Sequence, residues 1–245
     1  MVFTQGKFFY GWVVVAASSF VVFGVAGSQF SFGVFLKPMT EEFGWSRATL
    51  ATAFGVTFML SGLLRPVAGY LADRYTPKTV ALAGVALMGA MLLLLPYIQN
   101  LFHLYLIFAV MSVGLTLGMG PTLTKVISAW FYRARGVTHG IVSGGGSVGG
   151  LILVPATSAF LILLSWREAY LFLGLLLLVL VLPVGYLLIK NEPQDLNLEP
   201  QREDCVDESS DGDLGRPGSF KVADSTFKEA LKAPIFWRLT AGYFV

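Results

Sequence analysis

The stretch Thr79-Val-Ala-Leu-Ala-Gly-Val-Ala-Leu-Met-Gly-Ala-Met-Leu-Leu-Leu-Leu-Pro-Tyr-Ile98 carries no charged side chain. Its length matches the roughly 20 residues that a helix needs to cross the hydrocarbon layer of a bilayer. The same reading extends in both directions. Between Phe8 and Ile189 the chain is almost continuous apolar sequence, and widely spaced charges divide it into six segments of spanning length, 11–36, 48–71, 79–98, 104–129, 138–164 and 169–189. The fold class that follows is an all-α membrane protein, a six-transmembrane-helix bundle. With 55% hydrophobic and 13% charged residues, the 245-residue chain has far more apolar surface than a water-soluble domain buries.

The first apolar run is uncharged for over twenty-five residues, from Phe8 to Leu36. That is too long for the core of a cleaved secretory signal. The one cysteine, Cys205, has no partner, so neither a disulfide framework nor metal-ligand spacing is present.

Charge divides the chain further. From Lys190 to Lys232 there are eleven acidic and six basic side chains, with Pro193, Pro200 and Pro217 among them. The remainder holds four acids (Glu41, Glu42, Asp73, Glu168) and eleven bases, so the net charge of +2 conceals a basic membrane part and an acidic tether. The domains expected are therefore an amino-terminal bundle at 1–189, an acidic cytoplasmic linker at 190–226, and a final part at 227–245. The final part joins an amphipathic stretch to an apolar run too short to span, which reads as the opening of a seventh helix.

Loop charges orient the bundle. Lys7, Arg74, Lys78, Arg133, Arg135 and Lys190 lie on one side, and Lys37, Arg47 and Arg167 on the other. The positive-inside rule places the amino terminus and the linker in the cytoplasm of a multi-pass protein of the cell membrane. The six segments also fall into two sets of three. Three is odd, so the second set runs inverted relative to the first, a plan used by transporters.

The loop Gly69-Tyr-Leu-Ala-Asp-Arg-Tyr-Thr-Pro-Lys78 resembles the signature loop of the major facilitator superfamily, G-x-L-a-D-R-x-G-R/K-R/K. Gly69, Leu71, Asp73, Arg74 and Lys78 match; Thr76 replaces the usual glycine and Pro77 a usual basic residue. Trp130-Phe-Tyr-Arg-Ala-Arg-Gly136, the glycine run that begins at Gly140, Ser165-Trp-Arg-Glu-Ala-Tyr170 and the opening Tyr10-Gly-Trp resemble the oxalate/formate antiporter and monocarboxylate transporter branch. The resemblance implies half of a twelve-helix major facilitator fold. It also implies a conformational latch between two six-helix halves, at Gly69, Asp73, Arg74, Lys78, Arg133 and Arg135. A glycine at position 69 admits close approach of another helix, and Asp73 beside bases suits a charge-assisted network that holds one conformation.

Gly144-x-Gly146-x-x-Gly149 matches a dinucleotide fingerprint in form, but no strand precedes it and an apolar helix follows. The small residues Gly140, Ser143, Gly144, Ser147, Gly149 and Gly150 suit helix packing, with Pro155 permitting a bend beyond them. The resemblance implies one more comparison: antiporters of the superfamily often carry a proline in this element where this chain has glycine.

Arg65 and Lys125 are the costly residues. Each lies eight positions from a loop marker, Asp73 and Arg133 respectively, or about 12 Å deep. No carboxylate is expected beside them within the helices. Two readings stay open: both side chains reach back to the headgroups, or they attract an anionic substrate. Ser28, Gln29, Thr122 and Ser143 join them as candidate substrate groups, each equally suited to helix packing. Helix one lacks the lysine that animal monocarboxylate carriers place there, so proton-linked lactate transport does not carry over.

The function expected is a secondary active transporter that moves a small organic anion, a mono- or dicarboxylate, by alternating access. The alternative is a transporter-like sensor or scaffold without transport. An intramembrane protease built on His139 and Ser143, or a channel, has less behind it. No catalysis, cofactor, metal or nucleic acid is expected. The partners are a small anionic solute, membrane lipid and a carboxy-terminal six-helix half.

Overall fold

The computed structural model of the chain describes residues 9–131 and 134–191. The regular elements are α1 (Gly11–Phe30), α2 (Phe32–Phe43), α3 (Arg47–Arg74), α4 (Pro77–Leu94), a 3-10 turn (Leu95–Tyr97), α5 (Leu101–Gly118), α6 (Pro121–Trp130), α7 (Arg135–Leu163), α8 (Trp166–Leu175), a π-helical segment (Leu176–Val181) and α9 (Leu182–Leu188). They form six spans long and apolar enough to cross a membrane, Gly11–Phe43, Arg47–Arg74, Pro77–Tyr97, Leu101–Trp130, Arg135–Leu163 and Trp166–Leu188. Of the expected linker only residues 190 and 191 are described; the rest of it and the final part at 227–245 lie outside the described residues.

All six expected spans are present, but their ends differ from the hydropathy reading. The first continues through Lys37, which pairs with Glu41 one turn on at 3.9 Å, and reaches Phe43. The charged connection expected there shrinks to residues 44–46. Gly44, at φ +68°, ends α2 with its N–H on the Thr40 carbonyl (3.0 Å). The Ser46 side chain then accepts the Thr49 N–H at 3.0 Å and starts α3. Hydropathy marks where the membrane ends, whereas capping marks where the helix ends.

The span pairing fits an inverted repeat. The first span packs on the fifth through α1 and α7, and the second on the fourth through α3 and α5; an internal two-fold that carries span one onto four and two onto five makes these contacts equivalent. The third and sixth spans, which this operation also exchanges, pack on each other through α4 and α8.

Two helix pairs, α1 with α7 and α4 with α5, meet backbone against backbone. A Cβ placed on Gly149 would lie 2.2 Å from the Phe23 carbonyl oxygen, and one on Gly145 would lie 2.4 Å from that of Ser19. On the partner α1, a Cβ at Gly27 would meet the Gly149 carbonyl at 2.8 Å. Gly84 and Gly114 bring α4 and α5 together in the same way. This corrects the expected packing face of α7. Gly149 holds its place and Gly150 lies against the Phe30 ring, but among the described residues a Cβ on Gly140 or Gly144 would meet nothing within 4 Å. Gly145 and Gly149, four apart, form the seam instead, and α7 runs through Pro155 without interruption.

Candidate functional site

The fourth span is broken. α5 ends at Gly118, Met119 is extended, and Gly120 takes φ +72°, ψ −123°, a conformation that a side chain would strain. Pro121 then opens α6 at the one position where its missing N–H is harmless. The break is tied by Thr122, fully buried, whose hydroxyl donates to the Leu117 carbonyl at 2.6 Å. Thr122 is therefore corrected from a candidate substrate group to a structural one. The first span has its α1–α2 junction at Ser31, which keeps helical backbone angles, φ −66° and ψ −13°, with its N–H on the Gly27 carbonyl. Ser31 separates α1 from α2, donates to the Gly27 carbonyl at 2.9 Å, and accepts from Thr157 of α7 at 3.3 Å.

Two open clefts flank the break in the fourth span. One, about 270 Å³, is lined by Gln29 of α1, Phe58, Ser61 and Arg65 of α3, Leu115 and Thr116 of α5, and residues 119–121. The other, about 310 Å³, holds His139, Ser143 and Ser147 of α7 and Thr124 of α6. The candidate residues are thereby separated. Gln29 and Arg65 share the first cleft and Ser143 lines the second. Ser28 faces neither cleft. It lines a small void of about 20 Å³ with Gln29 and Tyr170, and all three have a buried polar atom that no described protein group satisfies.

Lys125 requires a correction. Its Nζ forms an ion pair with Asp73 Oδ1, so a carboxylate does meet one of the two deep cations. Asp73 lies in the last turn of α3, and the separate helix α6 carries Lys125 towards it. Arg65 has no acid or hydrogen-bond partner among the described residues.

The remaining members of the expected latch divide between helix ends. Arg74 donates to the Tyr70 hydroxyl at 3.1 Å. Lys78 donates through Nζ to the Tyr186 carbonyl at 2.6 Å, lies over the Tyr186 ring, and its backbone N–H meets Asn191 Oδ1 at 3.0 Å. Arg135 donates to the Phe131 carbonyl at 3.1 Å, at the carboxyl end of α6, where a cation suits the helix dipole. Arg133 lies outside the described residues. Gly69 admits no close helix within this bundle, since a Cβ there would have open space around it.

The opposite end holds a cluster that sequence reasoning missed. The Glu42 carboxylate receives the Arg167 guanidinium through both oxygens and the Trp166 indole N–H at 2.6 Å, while Arg167 Nε donates to the Pro96 carbonyl at 3.1 Å. Ser165 and Glu168 complete a reciprocal cap at the start of α8. A fork-shaped cation beside a carboxylate is a strong local tie, and here it joins α2, α8 and the turn after α4. Its signal was the Ser-Trp-Arg-Glu run, which gives no hint that its partner is Glu42.

The chain matches the family model for the Major Facilitator Superfamily over residues 18–245. It is 25% identical over 183 residues to an uncharacterized MFS-type transporter, YcxA, of Bacillus subtilis, covering 74% of this chain and 45% of that protein. It is 21% identical to the oxalate:formate antiporter of Oxalobacter formigenes, covering 95% and 51%, and 32% identical to mouse monocarboxylate transporter 11, covering 73% and 40%. The crystal structure of a bacterial homologue of the human lysosomal transporter Spinster, inward-facing and unoccupied, superposes with a TM-score of 0.71 at 18% identity, covering 97% of this chain and 52% of that one. The chain spans about half the length of these relatives or less, and they are transporters. With a family match over nearly its whole length and a six-span bundle that superposes on half of a transporter, this chain belongs to the major facilitator superfamily.

Proposed function

We propose that the chain is the amino-terminal half of a secondary active transporter for small organic anions, mono- or dicarboxylates, working by alternating access. The observation that carries this is Arg65, a guanidinium within a membrane span, on the wall of an open cleft and without an acid partner among the described residues. A cation at depth without a counter-charge is costly, and an anionic solute supplies the charge. The named activities of the oxalate:formate antiporter and the monocarboxylate transporters support the same class. A second bundle, tethered by the acidic segment at 190–226 and beginning near residue 227, closes the cleft from the other side.

Reconstituted into liposomes with that second bundle, the protein is expected to take up radiolabelled oxalate, formate or lactate saturably, and glycerol not at all. Residues 1–245 alone are expected to show no saturable uptake. Ion conductance without saturable uptake would sink the transporter reading.

In this proposal the amino terminus and the linker face the cytoplasm of the cell membrane. An impermeant thiol reagent should then label Cys205, the one cysteine, in inverted vesicles and not in intact cells. Labelling from outside would reverse the orientation.

A further inference from the structure

We infer that the core of the bundle binds one water molecule, between Ser28 and Gln29 of α1 and Tyr170 of α8, and that this water ties the first span to the sixth. Its binding is independent of the transported solute. The three residues line a void of about 20 Å³. A water takes about 10–15 Å³ on that scale, so the void has room for one and for no organic solute.

Three buried polar groups call for it. Ser28 is 3% exposed, Gln29 9% and Tyr170 2%, and Ser28 Oγ, Gln29 Nε2 and Tyr170 Oη have no hydrogen-bond partner among the described residues. The Tyr170 ring is stacked on Phe35, centroids 3.7 Å apart, with Trp166 against it edge-on at 6.1 Å, which holds its hydroxyl in place. The other walls are mainly apolar, Phe32, Phe54, Met88 and Leu92 among them. Thr57, the one further polar side chain there, gives its hydroxyl proton to the Phe108 carbonyl at 3.3 Å.

Each unmet group carries the full cost of its desolvation, and three such costs together exceed that of immobilising one water. Donors and acceptors also balance. The Gln29 amide nitrogen only donates, whereas the two hydroxyls do either. The water accepts from Gln29 and from one hydroxyl and donates to the other, with the Thr57 oxygen as a further acceptor. An ion in its place would lack a counter-charge, because among the described residues no acid lines the void. Gln29 and Leu115 also line the Arg65 cleft, so the water lies behind the cleft wall and holds the Gln29 side chain there by its amide nitrogen.

The test combines a density map of the complete protein, at a resolution that shows waters, with the melting temperatures of two variants. The map should show one peak about 2.7–3.2 Å from at least two of the three atoms. Tyr170→Phe and Ser28→Ala should each lower the melting temperature by about 2–4 °C, because each takes a partner from the water. The double variant should lose less than the sum, since both changes act on one molecule. In a dry void the sign reverses: removing an unmet hydroxyl relieves a cost, and both variants melt higher. A higher melting temperature for Tyr170→Phe, or a map without a peak in the void, overturns the water. So does a melting temperature that falls when sodium is exchanged for N-methylglucamine at constant ionic strength and no longer does so in Ser28→Ala, which would assign the peak to a cation. If the variants do not fold, the map of the parent decides.

Discussion

Gly149→Ala is expected to destabilise the bundle by about 1–3 kcal/mol, the range for overpacking a tight contact, whereas Gly144→Ala, five residues earlier on the same helix, costs nothing. The new methyl at position 149 would lie 2.2 Å from the Phe23 carbonyl oxygen and 2.9 Å from its carbon. Those atoms are backbone, so no side-chain rotation relieves the clash and α1 must move away from α7. The movement weakens the neighbouring contacts at Gly27 and Gly145 as well. At position 144 the methyl meets nothing, and alanine is the better helix former. Unfolding of the purified variants in mixed detergent, followed by circular dichroism, checks the contrast. Equal midpoints for the two would show that the close approach of these helices is not what holds the first span in place.

Reversing the charge at Asp73 has the second large effect. Asp73→Lys is expected to lower uptake by the complete transporter about tenfold, equivalent to about 1.4 kcal/mol, with little loss of folded protein. Adding Lys125→Asp should recover most of it. The pair is partly exposed, with the Lys125 side chain at 39% and that of Asp73 at 66%, so its contribution to stability is small after solvent screening. The consequence falls on the balance of conformations instead. Two facing lysines push α6 away from the end of α3, and α6 forms part of both clefts. Failure of the exchanged pair to restore uptake would mean that Asp73 serves the second bundle and not Lys125.

The spans were legible because a helix in hydrocarbon must be apolar for most of its length, which sequence records directly. The break in the fourth span had a local signal as well, Gly118-Met-Gly-Pro121, with glycine where φ is positive and proline at the first helical position. Hydropathy counts Gly, Met and Pro as apolar or neutral and so passes over it. Pairings between spans were not legible. Whether Lys125 reaches Asp73 depends on how α6 is rotated and tilted against α3, and no local pattern fixes that. The packing face of α7 failed for a related reason: its glycines lie on more than one face, and only the position of α1 selects Gly145 and Gly149 over Gly140 and Gly144. The Arg65 cleft stood between these cases. Its members were identifiable as costly polar residues in apolar spans, but their separation from Ser28, Thr122 and Ser143 required the three-dimensional arrangement.

The π-helical turns at Leu176–Val181 have a consequence for how this chain is to be compared with its relatives. A π-turn accommodates an extra residue within a helix, so the residues after it are rotated by about 100° from where a continuous α-helix would place them. Tyr186 follows that segment, and its carbonyl receives Lys78. A relative whose sixth span is uniformly α-helical should therefore align with a one-residue gap between Leu176 and Val181. Without that gap, every position from Leu182 onward is assigned to the wrong face, and the anchor of the Lys78 side chain is lost from view.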